Sequence, residues 1–329
     1  MRRFLAGLLA ILMVVCFSGC GSEGGGQNVN SSDIGDDVSE VGDGADLQNE
    51  ADALMSSEAA LPEGIIPDAP GTKTEENDDM IIDYSNAEQG YIMVQYKTDS
   101  TVKIKAQVTG ESETTYTYNL TPQEWAAFPL SDGNGSYKVC VFENVSGNSY
   151  ATVGSVSFDV ELNDPNAPFI TSNQYVNFDG KTKCVRMAQV LCQDLTEEMD
   201  KVKAVYNWTL EHFEYDTAKA KSVNSGYLPD LDEVYDAKKG ICFDYAATMV
   251  AMLRSQEVPT KLVIGYSDSA YHAWINVYTK DSGWVTGAIY FDGSDWNLMD
   301  PTFADSADSS EEVMEYIGNG SNYSAKYIY

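Results

Sequence analysis

Apolar and polar positions alternate along most of residues 91–162. The runs 91–97, 101–109, 114–120, 136–145 and 150–162 repeat with period two, which predicts half-buried strands. Asp132-Gly133-Asn134-Gly135 is a strong turn signal between two of them. Short strands at this spacing predict a small β-sandwich over residues 81–164, immunoglobulin-like by analogy. The pattern breaks at Asn163-Asp164-Pro165-Asn166-Ala167-Pro168, a domain boundary. Helical spacing then predicts helices at 183–194, 197–213, 230–238 and 242–256. Strands follow near 261–267, 272–279, 285–291 and 295–300, then a helix near 310–317 and a final strand at 323–329. Helices first and an antiparallel sheet after them give residues 165–329 an α+β layout.

The N-terminal part follows other rules. Arg2 and Arg3 precede an apolar stretch, 4–17, that is too short for a comfortable membrane span. Ser18-Gly19-Cys20 ends it with small residues before a cysteine. Residues 1–20 resemble a bacterial lipoprotein signal peptide. That resemblance implies export, with Cys20 acylated and the protein lipid-anchored to the outer face of the cell membrane. Residues 21–80 hold sixteen acids against one base, Lys73, and few large apolar side chains. This composition predicts a disordered, self-repelling linker. As a plain coil it would span about 45 Å r.m.s.. Residues 81–329 remain acidic, with 35 acids against 17 bases within the whole-chain net charge of −31. With no basic face, nucleic-acid binding is not expected, and the membrane is met through the lipid anchor alone.

Candidate chemistry lies in three short segments: Gly240-Ile241-Cys242, His272-Ala273-Trp274, and Trp296-Asn297-Leu298-Met299-Asp300-Pro301-Thr302. They supply a thiol, an imidazole and a carboxylate, which are an attacker, a base and a group to orient the base. The chain has two histidines. His272 opens an alternating run, so it can face a cleft while the strand body anchors it. His212 falls at the end of a predicted helix, where a partial positive charge is favourable. Cys242 falls in the first turn of a strongly apolar helix, a setting that favours the reactive anionic form of a thiol. The amides of that turn point where an oxyanion would develop. Gly240 is expected to allow a sharp turn and substrate approach. Cys140, Cys184 and Cys192 suit the role of small buried hydrophobes. Cys184 and Cys192 on one helix would stand about 12 Å apart, too far for a disulfide.

The order Gly-x-Cys, His-Ala-Trp, Asp-Pro-Thr resembles the transglutaminase-like superfamily over roughly residues 170–303. The resemblance implies a papain-like fold, with a thiol-bearing helix packed on an antiparallel sheet. It implies a Cys242-His272-Asp300 triad that attacks an amide through a thioester. Water as acceptor gives a peptidase or amidase, and an amine acceptor gives cross-linking. A non-catalytic binding or scaffold module of the same fold is the other class. Asp292 and Asp295 rival Asp300, because 284–293 lengthens the gap between His272 and Asp300 to 28 positions. Position in the motif favours Asp300. The papain signature around the cysteine is absent. No Cys-x-x-Cys, His-x-x-x-His or calcium-loop pattern occurs, so no cofactor or metal is expected. The expected partner is a peptide or protein amide, with cell-wall peptide suggested by the location.

Overall fold

The computed structural model describes residues 61–267, 270–286, 289–291, 296–298 and 323–329, with Asn49 and Ala53. All of these belong to one compact unit, Gly42–Tyr329. Cys20 and most of the predicted linker lie outside the described residues, as do Asp292, Asp295, Asp300 and the helix expected near 310–317.

The strand-rich part holds β1 (Thr74–Glu76), β2 (Met80–Asp83), β3 (Tyr91–Tyr96), β4 (Ile104–Thr109), β5 (Thr115–Leu120), β6 (Trp125–Pro129), β7 (Gly135–Ser146) and β8 (Ser149–Val160). They form two antiparallel four-stranded sheets, in the orders β1-β2-β3-β6 and β5-β4-β7-β8. Period-two patterning decides which side chains enter the core. Ile104, Ala106 and Val108 of β4 and Tyr116, Tyr118 and Leu120 of β5 are buried, while their sequence neighbours face outward. The rings of Tyr118 on one sheet and Phe128 on the other stack at 3.9 Å. At the predicted turn, Gly133 and Gly135 adopt φ of +80° and +135°, which side chains rarely tolerate.

Folding begins earlier than composition suggested. The acids of residues 61–80 predict a continuation of the linker, yet Ile65 and Met80 are buried and β1 and β2 extend the first sheet. Local hydrogen bonds explain how a polar stretch folds. The buried Asp83 carboxylate accepts the N–H groups of Gly71 and Ser85 at 2.7 and 2.9 Å. Asn77 ties the β1–β2 turn to the second sheet by donating to the Val153 carbonyl at 2.9 Å.

The helical part follows with α1 (Lys183–Cys192), α2 (Glu198–His212), β9 (Glu214–Tyr215), α3 (Thr217–Ser222), α4 (Leu231–Ala237), β10 (Lys239–Gly240) and α5 (Cys242–Arg254). Then come β11 (Thr260–Ser267), β12 (Ala270–Thr279), β13 (Gly283–Val285), β14 (Ile289–Phe291), β15 (Trp296–Leu298) and β16 (Tyr323–Ile328). An antiparallel sheet runs in the order β13-β12-β11-β16, and β14 and β15 pair separately. Residues 244–254 of α5 are buried throughout, as a helix apolar on nearly every face should be. This is the α+β arrangement of a thiol-bearing helix against a sheet.

Arg254 ends α5 fully buried. Its guanidinium donates to the carbonyl oxygens of Thr171, Thr260 and Tyr329 at 2.7 to 2.9 Å. Burial pushes its pKa down to about 9, still charged at neutral pH, and the four hydrogen bonds offset the lost hydration. Tyr329 also stacks on Tyr175 at 3.8 Å and meets Tyr118 of β5 edge-on at 6.0 Å. Rings from the strand-rich part thus reach the sheet that carries His272.

Candidate active site

Two short connections fix where Cys242 stands. β9 and β10 pair in parallel, with Tyr215 opposite Gly240. The N–H of Asp216 donates to the Gly240 carbonyl at 2.7 Å. Ile241 is extended, with φ −97° and ψ 175°, and Cys242 is the first helical residue of α5. Its thiol therefore sits half-buried at the end of a helix where free backbone amides and the dipole favour negative charge.

Gly240 has a different reason from the one expected. Its φ is not positive, so no sharp turn demands glycine. A Cβ there would lie 2.5 Å from the Cβ of Asp244. Asp244 fills that space because its carboxylate reaches back to accept the Ile241 N–H at 2.8 Å, one half of a capping box. The same fully buried carboxylate accepts the Tyr227 hydroxyl at 2.6 Å and the Lys219 ammonium at 2.7 Å. Lys219 also donates to the Tyr227 hydroxyl at 2.6 Å. Burial, then the Asp244 hydrogen bond, pushes the Tyr227 pKa up, so that hydroxyl stays a donor. The segment from Asp216 to Tyr227 is fastened by this network to the helix that presents the thiol.

His272 comes from the sheet. Its partner across β11 is Gly265, where a Cβ would lie 2.9 Å from the Trp274 ring and 3.0 Å from Ala325 Cα. β16 shifts register at the same point. His272 is buried, with Trp274 and Tyr323 rings each 6.4 Å away.

Cys242 and His272 line one cleft of about 510 Å³. Two of the three predicted site residues are thus brought together, and Asp300 lies outside the described residues. Hollows of about 350 Å³ beside Leu61 and 400 Å³ beside Phe178 carry neither thiol nor imidazole. His212 is a helix-end residue, its Nδ1 2.8 Å from the Trp208 carbonyl oxygen and its ring stacked on Trp208 at 4.9 Å. Among the described residues no His, Cys, Asp and Glu side chains cluster as a metal site would require. The network of Asp244, Lys219 and Tyr227 was missed in the sequence. Its one local signal was an acid at the third helical position, where capping boxes place one.

Two of the other thiols, Cys184 and Cys192, are buried where Cys242 is half-buried. Burial pushes both Cys184 and Cys192 up to about 12; Cys140 on β7, expected to be buried, is only half-buried, as Cys242 is, because it lies on the outward-facing side of the strand's alternation. Iodoacetamide at neutral pH is therefore expected to modify Cys242 first in the native protein and to spare Cys184 and Cys192 until unfolding. Peptide mapping checks this, and early modification of Cys184 or Cys192 would contradict it.

Residues 185–287 match the transglutaminase-like superfamily. The match includes Cys242 and His272 and stops short of Asp300. The uncharacterized protein YebA of Bacillus subtilis is 29% identical over 154 residues, covering 39% of this chain and 20% of YebA. Kyphoscoliosis peptidase of Homo sapiens is 26% identical over 113 residues, covering 34% of this chain and 17% of the peptidase. Protein-glutamine gamma-glutamyltransferase of Pseudomonas aeruginosa is 22% identical over 146 residues, covering 39% and 20%. This chain spans 20% or less of the length of each of these relatives.

Proposed function

From the transglutaminase-like domain of residues 185–287, we propose that this chain is a thiol enzyme that cleaves amide bonds, a peptidase or amidase. The observation that carries the reading is Cys242 at the start of α5 sharing a cleft with His272. Cys242 attacks the carbonyl carbon. Its proton passes to His272 and then to the leaving amine, and a thioester remains on the sulfur. First-turn amides of α5 stabilise the oxyanion. Asp300 orients the imidazole. Water entering the open cleft releases the acid, and His272 takes the proton from that water.

An amine in place of water would make the same thioester a cross-linking intermediate, and the glutamyltransferase relative supports that variant. The deciding experiment is mass spectrometry of the protein with a peptide library and a competing primary amine. Shortened peptides indicate hydrolysis, and amine adducts indicate transamidation. Neither product would leave a binding module.

The proposal extends to location. Cys20 carries the lipid, the acidic segment lifts the folded part from the membrane, and a strand-rich domain precedes the catalytic one. Cell-wall peptide is then the nearest amide-rich material. Cys20→Ala is expected to leave folding unchanged and to move the protein from the membrane fraction to the soluble one. Retention on salt-washed membranes would contradict the anchor.

A further inference from the structure

The cleft beside Cys242 is walled by rings. Tyr175 and Phe243 stand 5.9 Å apart, and Tyr227 meets Phe243 edge-on at 6.2 Å. Tyr215 and Tyr271 line it as well, and Tyr271 is 59% exposed at the rim. Charge near the thiol is committed elsewhere. Both Asp244 oxygens are occupied by Ile241, Tyr227 and Lys219, and the Lys219 ammonium lies 4.4 Å over the Tyr227 ring. The Tyr227 ring is thus held before any substrate arrives. Among the described residues lining the cleft there is no Asp, Glu, Lys or Arg.

We infer that this cleft selects an acyl donor whose side chain next to the scissile bond is uncharged and apolar, and best of all aromatic. The inference rests on Cys242 being the reacting thiol. An aromatic side chain can meet these rings edge-on or offset, the arrangement they already adopt with one another. A carboxylate placed there would lose hydration against ring carbons and find no Lys or Arg among the described residues in return; besides His272 and the tyrosine hydroxyls, the polar lining side chains are the neutral Asn224 and Ser225. A cation would be attracted to ring faces, but Lys219 already occupies one face of Tyr227.

N-acetyl aminoacyl chloromethyl ketones test this without turnover. The sulfur displaces chloride, a carbon–sulfur bond forms, and the thiol proton goes to solvent. Each rate on the full-length protein is divided by the rate of the same reagent with free cysteine. The phenylalanine reagent is expected to alkylate Cys242 at least ~10-fold faster than the glutamate or lysine reagent, because a ring-lined site rejects groups it leaves unpaired. Phe243→Ala should shrink that ratio. Ratios within about twofold of one another, a lead for a charged reagent, or an unchanged ratio in Phe243→Ala would each overturn the inference. A clear aromatic preference in a protein that turns over no peptide would uphold the selective cleft and overturn only the acyl-transfer reading.

Discussion

Replacing Cys242 by alanine is expected to lower amide turnover by about 10⁴-fold or more, to the background of the peptide alone. In the proposed reaction the thiol forms the bond on which every later step depends, so no neighbouring group can substitute for it. Alanine is the best helix former and loses one half-buried sulfur. The Ile241 N–H bond to Asp244, which fixes the start of α5, does not involve the sulfur. Thermal unfolding should therefore move little while activity disappears. The measurement is product formation from the peptide library by mass spectrometry, alongside melting curves of both proteins. A variant that melts normally and still produces the same fragments would rule out Cys242 as the nucleophile.

Much of the fold could be read from periodicity, and its failures have physical causes. The α5 helix was predicted within two residues because its apolar run is long and unbroken. β4, β5, β7 and β8 follow from alternation. β6 was missed, since Trp125-Ala126-Ala127-Phe128-Pro129 does not alternate and ends in proline. Among the described strands it is an edge strand paired with β3, where the missing N–H is tolerated. α3 was missed because it is short, buries nothing and depends on the Asp216 side chain accepting the N–H groups of Ala218 and Lys219. The predicted strand 285–291 divides into β13, which pairs with β12, and β14, which pairs with β15. At the site, residue order points to Cys242 and His272, because a helix-start thiol and a strand-start imidazole carry recognisable local settings, and the two line one cleft. The Asp244 network could not be read that way. Its members, Lys219, Tyr227 and Asp244, lie 25 positions apart end to end, and only the fold makes one buried carboxylate serve all of them.

Asp300→Asn is expected to lower amide turnover by about a hundredfold or more without loss of folding. An orienting carboxylate accepts a hydrogen bond from the far imidazole N–H and favours the imidazolium that forms during attack. Asparagine keeps the size but can present its amide to that nitrogen and hold the wrong tautomer. Three acids compete for the role, and position in the sequence motif decides the choice: Trp296 lies four residues before Asp300, and Pro301-Thr302 follows it. Asp292→Asn and Asp295→Asn are therefore expected to change activity by less than about threefold, as solvated acids in an acidic chain would. Steady-state rates of the three variants, with circular dichroism to confirm folding, separate the cases. A large loss in Asp292→Asn with Asp300→Asn near wild type would assign the carboxylate to the β14 segment and make the Asp-Pro-Thr match at 300–302 a coincidence. The pH profile adds a second reading. If Asp300 stabilises the imidazolium of His272, its removal should shift the base-dependent limb of kcat/KM toward lower pH, because the imidazole then loses its proton more easily.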